Sequence, residues 1–127
     1  MKNSNNKPNV YHMKQIYTMI AALIFSNIIF ATPIITATTN NGNWASAATW
    51  DANRVPQNND TIVIPANITV KMDKPRSLDN VIIRVFGTLQ FESGKLNLNT
   101  ASRIILENGG RISGTSFSEH LTIGAVI

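Results

Sequence analysis

A series of short apolar–polar alternations between residues 62 and 123, each followed by a breaker, constrains the fold most. After the first 37 residues no window shows the i, i+3, i+4, i+7 apolar spacing that an amphipathic helix requires. Strict alternation places one face of a strand in the core and the other in solvent. The pattern therefore predicts an all-β fold. The alternating positions are Ile62/Ile64, Ile68/Val70, Val81/Ile83/Val85, Leu89/Phe91, Leu96/Leu98, Ile104/Leu106, Ile112 and Leu121/Ile123.

The spacing of these strands favours a coil of repeated units. Strands begin about every 7 to 13 residues, a spacing typical of sandwiches, barrels and β-helices. Three segments resemble one another, GTLQFESG, GKLNLNTA and GGRISGTS. Each has a glycine, an alternating run and a polar corner of Asn, Ser, Thr or Gly, residues that accommodate turns. We predict a parallel β-helix-like coil of short strands, with a β-sandwich as the alternative.

The first 37 residues have the pattern of a secretory signal peptide that forms a helix. Three lysines in the first 14 residues precede the apolar run Ile16–Ala31, which is the order of a basic n-region and an apolar h-region. A tidier signal sequence begins at Met13, which is a candidate for the true start. We therefore predict a signal peptide over 1–37 and a β-rich module over 38–127.

Two alternatives remain open for this leader. Cleavage could follow Ala31 or Ala37, and both sites have Ile at the −3 position. Without cleavage, Ile16–Ala37 offers 22 uncharged residues, close to the roughly 20 that span a bilayer. The chain has no cysteine. An exported protein without disulfides favours a bacterial secreted or cell-envelope protein.

The charge of the chain does not indicate a nucleic-acid partner. The formal net charge is +4, but the leader lysines supply most of it. From Asp51 onward there are eight basic and seven acidic residues. A nucleic-acid-binding module usually carries a stripe of Lys and Arg, and none is visible here.

Two tryptophans stand just before the first predicted strand. Trp44 and Trp50 are the only ones in the chain, and a turn containing Pro56 follows them. A β-coil has an open apolar end at its first coil, and a buried aromatic removes about 200 Å² from water. We interpret the pair as a structural cap on that end. The alternative is a ligand-binding role, in which Trp44 and Trp50 form a stacking platform for a sugar.

An ordered set of residues from Trp44 to Ile123 resembles the eight-glycine domain family. This family occurs in extracellular proteins of the fibrocystin and cell-migration-inducing hyaluronan-binding types and in bacterial secreted proteins. Asparagine stands near 53 and at 58 and 59, where the family tends to have glycine. The resemblance implies an extracellular β-rich module that binds ligands such as polysaccharides, with no catalytic residues. The matching positions are Trp50, Val55, Pro56, Asp60, Ile62, Ile64, Val70, Asp73, Leu78, Gly87, Leu89, Phe91, Gly109, Gly110 and Gly114.

Candidate catalytic and metal-binding residues have a simpler structural interpretation. Asp51, Asp60, Asp73 and Asp79 lie at predicted strand edges or turns, where Asp commonly bonds the backbone. His120 is the only histidine after the leader, and one histidine without cysteines does not make a zinc site. We predict no catalytic residue, metal or cofactor, and turn or cap roles for Pro56, Asp60, Asp73, Gly87, Gly109 and Gly110.

The sequence therefore predicts a secreted or cell-surface, non-catalytic β-module. We expect it to bind polysaccharide or to act in adhesion, as the N-terminal part of a larger protein. The alternative is the entry module of a polysaccharide-degrading β-helix enzyme whose catalytic part lies beyond Ile127. The apolar strand Leu121–Ile127 reads as an uncovered edge, so we expect the module to continue past it or to self-associate there.

Overall fold

Short strands separated by turns make up the fold in the computed structural model, which describes residues 31–114 and 121–124. A single turn of 3₁₀ helix, Ala47–Thr49, lies between β2 and β3. The strands belong to a unit that spans Thr32–Ile127. They are β1 (Ile34–Thr36), β2 (Gly42–Asn43), β3 (Thr61–Ile64), β4 (Thr69–Met72), β5 (Arg76–Leu78), β6 (Ile82–Val85), β7 (Thr88–Phe91), β8 (Leu96–Leu98), β9 (Arg103–Leu106), β10 (Arg111–Gly114) and β11 (Leu121–Ile123).

The strands wind into a three-sided parallel coil. The first sheet has the order β1-β3-β6-β9, the second β2-β4-β7-β10 and the third β5-β8-β11. Every pairing between these strands is parallel. From β3 onward, each turn of the coil therefore adds one strand to each sheet, whereas the first turn adds a strand only to the first and second sheets. The predicted all-β parallel coil is confirmed and the β-sandwich alternative is wrong. The predicted signal helix lies outside the described residues.

The core consists of side chains that stack from one coil to the next. Ile62, Ile83 and Ile104 are register partners in neighbouring strands of the first sheet, and the first two are fully buried. Val70 and Leu89 pair in the same way in the second sheet and are also fully buried. Because a strand alternates its side chains between two faces, strands β3, β4, β6, β7 and β8 bury every second residue.

Asparagines occupy many of the corners. Asn41, Asn53, Asn59, Asn67 and Asn80 all have positive φ, between 50° and 70°. Asparagine tolerates this region better than most non-glycine residues. Asn53 and Asn59 stand where the eight-glycine pattern has glycine, so the substitution preserves the backbone. Asn80 also donates from Nδ2 to Asn59 Oδ1 at 2.9 Å, which links one coil to the next.

The first strand lies inside the segment that the sequence assigned to the leader. Ile35 and Ala37 are buried in the core, and Ile35 is the register partner of Ile62. Cleavage after Ala37 would remove β1, whereas cleavage after Ala31 would leave it in place. Among the described residues, none of the helices has the length and apolarity to cross a membrane. Of the apolar run Ile16–Ala31, only Ala31 is among the described residues.

We therefore expect the exported protein to begin at Thr32. Removal of β1 would expose the edge of β3 and the side chain of Ile62, which costs on the order of 2 kcal/mol for the isoleucine alone. Intact-mass analysis of exported material measures the start directly. A mature chain that begins at Thr38 would contradict the expectation.

Candidate functional site

The two tryptophans lie against each other in the first coil. Their ring centroids are 5.1 Å apart with an interplanar angle of 75°, an edge-to-face arrangement. Trp50 Nε1 donates to the Trp44 carbonyl oxygen at 3.0 Å, whereas Trp44 Nε1 is buried without a hydrogen-bond partner. Edge-to-face contact is a preferred aromatic geometry. The pair therefore fills the core of the first coil.

Neither indole ring has a face open to solvent. Trp44 is 0% exposed and Trp50 is 1% exposed. A sugar stacks on an aromatic ring only when one face of the ring is accessible. The hypothesis of a sugar platform on Trp44 and Trp50 therefore has no exposed surface to act on in this arrangement, and other parts of the surface must be considered for ligand binding.

A buried carboxylate organises the turn that leads into β3. Asp60 is 3% exposed and accepts two hydrogen bonds from Arg54, from Nη1 and Nη2, each at 2.8 Å. The Gln57 backbone N–H also donates to Asp60 Oδ2 at 2.7 Å. Burial raises the pKa of Asp60, but the hydrogen bonds from Arg54 and Gln57 outweigh it and hold that pKa below its usual value. The hydrogen bonds between Arg54 and Asp60 act in the opposite direction on Arg54 and raise its pKa.

We expect this pair to make folding sensitive to acid. The pKa of Asp60 is lower in the folded chain than in the unfolded chain. The ionised carboxylate therefore adds to the free energy of unfolding above the unfolded pKa of about 4, and this stabilisation is lost as the pH falls through the folded pKa. Asp60→Asn should cost about 2 kcal/mol at neutral pH, since it weakens hydrogen bonds to a charged group. The variant should also lose less stability than the wild type on acidification. Urea unfolding at several pH values measures both effects.

Asp79→Asn is the matched control for this prediction, because Asp79 is an exposed carboxylate in a neighbouring turn. It should leave the free energy of unfolding nearly unchanged. Equal acid sensitivity in the Asp60→Asn variant and the wild type would contradict the assignment.

Two other predicted turn residues bond the backbone through their carboxylates. Asp73 Oδ1 accepts from the Ala45 N–H at 3.1 Å, and Asp51 Oδ1 accepts from the Thr36 N–H at 3.0 Å. Both bonds join segments that are distant in sequence. The sequence analysis did not identify Arg54 as the partner of Asp60. Arg54 precedes Asp60 by six residues across a turn that contains Pro56, and this short spacing between opposite charges could have indicated the pair.

The predicted glycine and proline corners are constrained in different ways. Pro56 and Gly87 are buried, and Gly109 has φ +86°. Gly110 begins the approach to β10 and packs directly against the Val85 carbonyl of the preceding coil. These positions support the backbone and present no reactive group.

Two grooves remain as candidate ligand sites. The corner groove, about 450 Å³, lies where the first and second sheets meet. It is rich in amides and hydroxyls, and it also contains the half-buried Phe86. The edge groove, about 580 Å³, lies between the turn 56–59 and β5. The polar lining of the corner groove comprises Asn40, Asn41, Asn67, Thr69, Thr88, Asn108 and Arg111.

The described residues include no cluster of three or more His, Cys, Asp or Glu side chains that would hold a metal ion. His120 lies outside the described residues. The aspartates considered as catalytic or metal-binding candidates do not converge. Asp51, Asp60 and Asp73 each bond a different backbone segment.

The architecture and these sites define the class of the protein. It is a parallel β-helical module whose corners are built from Asn and Gly. The family model described as the G8 domain matches residues 49–127. The match covers more than half of the chain, so this protein belongs to the G8 domain family, and the eight-glycine resemblance is confirmed. G8 domains are typically extracellular and non-catalytic. No curated protein and no solved structure matches the chain.

Proposed function

We propose that this G8 domain is a non-catalytic module of a larger secreted or cell-surface protein. In this proposal a leader that ends at Ala31 exports the chain. The module closes one end of a β-helix and presents the other end to a further coil. The difference between its two ends carries the proposal.

One end is closed by aromatic side chains. Trp44 and Trp50 bury their rings in the first coil, and the Ala37–Trp50 bridge is antiparallel, unlike the pairings between strands. A solenoid needs such a distinct terminal unit, because each coil buries its apolar face only against its neighbours.

The opposite end exposes the positions that are core elsewhere. Three inward-facing ladders run through the coils, and the first two members of each are at most 5% exposed, whereas the third is much more accessible. We name Leu106, Ile112 and Ile123 the end face; they are 53%, 38% and 48% exposed. The ladders are Ile64–Val85–Leu106, Val70–Leu89–Ile112 and Leu78–Leu98–Ile123.

A further parallel coil matches this end face. Such a coil would extend all three ladders in register and would pair with the edges of β9, β10 and β11. Apolar patches of this kind mark interaction surfaces. When the chain is studied alone, a second copy is the available substitute, which is the self-association expected at Leu121–Ile127; Ala125–Ile127 lie outside the described residues.

Sedimentation velocity on the purified chain tests the end face. We expect association that Ile112→Asp and Ile123→Asp weaken. Ile34→Asp is the matched control, because Ile34 is 66% exposed but its side chain points out of the first sheet, next to Ile35 in the core. A monomeric wild type whose β9 to β11 amides exchange as slowly as those of β3 to β5 would contradict the proposal.

A second function, polysaccharide binding, is favoured by the corner groove. Amides and hydroxyls hydrogen-bond sugar hydroxyls, and Phe86 offers an aromatic surface of the kind on which sugars stack. Arg84 lies over the same ring, 5.3 Å from its centroid, which holds the ring in place. Phe86 therefore takes the role that the sequence suggested for the tryptophans.

Calorimetric titration with a panel of soluble polysaccharides tests this function. Phe86→Ala and Asn108→Ala should each weaken binding by about tenfold, the equivalent of one good contact. Gln90→Ala is the control, since Gln90 lies on the outer face of the second sheet, away from the groove lining. Binding that survives Phe86→Ala and Asn108→Ala would place the sugar elsewhere.

The alternative, in which the module precedes a polysaccharide-degrading β-helix enzyme, uses the same end face. The two alternatives differ in one property of the longer natural polypeptide that includes this module. The enzyme would depolymerise polysaccharide, and the non-catalytic protein would not. A viscosity assay on that polypeptide separates the two: loss of viscosity supports the enzyme, and unchanged viscosity with retained binding supports the non-catalytic protein.

A further inference from the structure

The edge groove lies where the third sheet lacks a strand. Among the described residues the first and second sheets have four strands each, whereas the third has three and ends at β5. In the first coil, the turn 51–60 takes the place of a strand beside β5. The groove of about 580 Å³ between that turn and β5 therefore leaves part of the edge of β5 open.

The backbone of β5 directs hydrogen-bonding groups into this gap. The Arg76 N–H donates to the Lys95 carbonyl at 2.7 Å, and the Leu78 carbonyl accepts from the Asn99 N–H at 3.3 Å. Both bonds point toward β8. Since alternate residues of a strand direct their backbone groups to opposite sides, the N–H and C=O of Ser77 point into the groove.

At one end of the groove, the turn forms hydrogen bonds to the chain directly after β5, as a neighbouring strand would. The Asn59 N–H donates to the Asp79 carbonyl at 3.1 Å, and the Asp79 N–H donates to Asn58 Oδ1 at 3.0 Å. Asp79 is on the same side of the strand as Ser77. The backbone groups of Asp79 are thus already hydrogen-bonded to the turn, whereas those of Ser77, on the same edge, face the groove.

The groove is also positively charged. Arg76 lines it, and Arg76 Nε is buried with no hydrogen-bond partner among the described residues. The ion pairs found within residues 31–114 and 121–124 involve Arg54, Lys71 and Arg84, so no described carboxylate lies within ion-pair distance of Arg76. Lys74 and Lys95 flank it in the chain and across the sheet. A guanidinium in this position favours a carboxylate, which it binds through paired hydrogen bonds.

We infer that the edge groove binds a short extended peptide segment that carries a carboxylate side chain. The segment adds to β5 as an extra strand: its backbone pairs with Ser77 and its carboxylate pairs with Arg76. Strand addition to an exposed sheet edge is a general mode of peptide recognition, in which backbone bonds give affinity and side-chain pockets give specificity. Pro75 has no N–H, so the pairing is short and the binding weak. This site is separate from the end face and from the corner groove.

The test uses the full chain labelled with ¹⁵N and a synthetic capped peptide, Thr-Val-Glu-Val-Thr, titrated by NMR. We expect shifts at the amides of Ser77, Arg76 and Gln57. Arg76→Gln should weaken binding about tenfold, as expected when a charged hydrogen-bond pair is lost. Arg103→Gln is the matched control, because Arg103 is an exposed arginine on the first sheet. The peptide with Gln in place of Glu should also bind about tenfold more weakly.

A second probe separates strand pairing from charge attraction. The same peptide N-methylated at its central amides cannot pair with Ser77 and should bind more weakly without any change in the protein. Equal binding of the methylated peptide, or equal binding by the Arg76→Gln and Arg103→Gln variants, would overturn the inference. Oligogalacturonate that shifts Arg76 and displaces the peptide while the Ser77 amide stays unmoved would also overturn it and reassign the groove to an acidic sugar.

Discussion

Replacing Gly110 or Gly87 with alanine is expected to destabilise the fold by about 3 kcal/mol, near the upper end for point substitutions. A Cβ on Gly110 would lie 1.9 Å from the Val85 carbonyl oxygen. A Cβ on Gly87 would lie 2.2 Å from the carbonyl oxygens of both Ile68 and Pro65. These contacts are with backbone atoms of the coil itself, so no side-chain rotation relieves them. Urea unfolding followed by circular dichroism measures the loss.

Gly109→Ala separates this steric effect from backbone strain. Gly109 has φ +86°, which disfavours alanine, but its Cβ would meet only the Phe86 carbonyl oxygen, at 3.9 Å. Its expected cost is about 1 kcal/mol, the usual penalty for a non-glycine residue in left-handed backbone. A larger loss for Gly109→Ala than for Gly110→Ala would show that coil spacing does not depend on these close approaches.

Replacing Trp44 or Trp50 with alanine is expected to cost about 4 kcal/mol, within the range for large aromatic residues in a core. Both rings are almost completely buried, and each contacts the other edge to face. The loss of either ring opens the first coil to water. Circular dichroism is the appropriate measurement, because the substitutions remove the tryptophans that fluorescence would monitor.

Phenylalanine substitutions test the finer geometry of this pair. Trp50→Phe removes the hydrogen bond to the Trp44 carbonyl, whereas Trp44→Phe removes a buried N–H that has no partner. We expect Trp50→Phe to cost about 1 kcal/mol more than Trp44→Phe, the net value of one hydrogen bond. The reverse order would contradict the arrangement of the two rings.

The sequence predicted the strand pattern well because that pattern is local. Ile62 and Ile64 alternate with polar or half-exposed neighbours, and both are fully buried. The predicted apolar positions in the first three coils became the stacked core for the same reason. Asn53 and Asn59 could be anticipated at positive φ because side-chain chemistry alone decides which residues tolerate that backbone.

The candidate sites were less predictable because they depend on contacts between coils. Successive coils bring together residues about 21 positions apart, such as Val81 and Ser102, and no local pattern specifies such partners. The sequence favoured a capping role for Trp44 and Trp50 and left a sugar platform as the alternative, because local sequence does not show whether a ring is buried. Nothing in the local sequence marks Arg76, because the open edge beside it depends on which strand the neighbouring coil supplies.

By itself the sequence determined the class of this protein. Alternation of period two, Asn and Gly at the corners and the ordered G8 motif are properties of neighbouring residues, and they favour a parallel β-coil over a β-sandwich. Only the tertiary structure decided which faces are closed and which remain available. The coil turns the tryptophans inward and takes β1 from the apparent leader segment. Among the described residues it also leaves the edge of β5 and the end face of Leu106, Ile112 and Ile123 without a covering strand, because burial depends on which coil lies next to each residue.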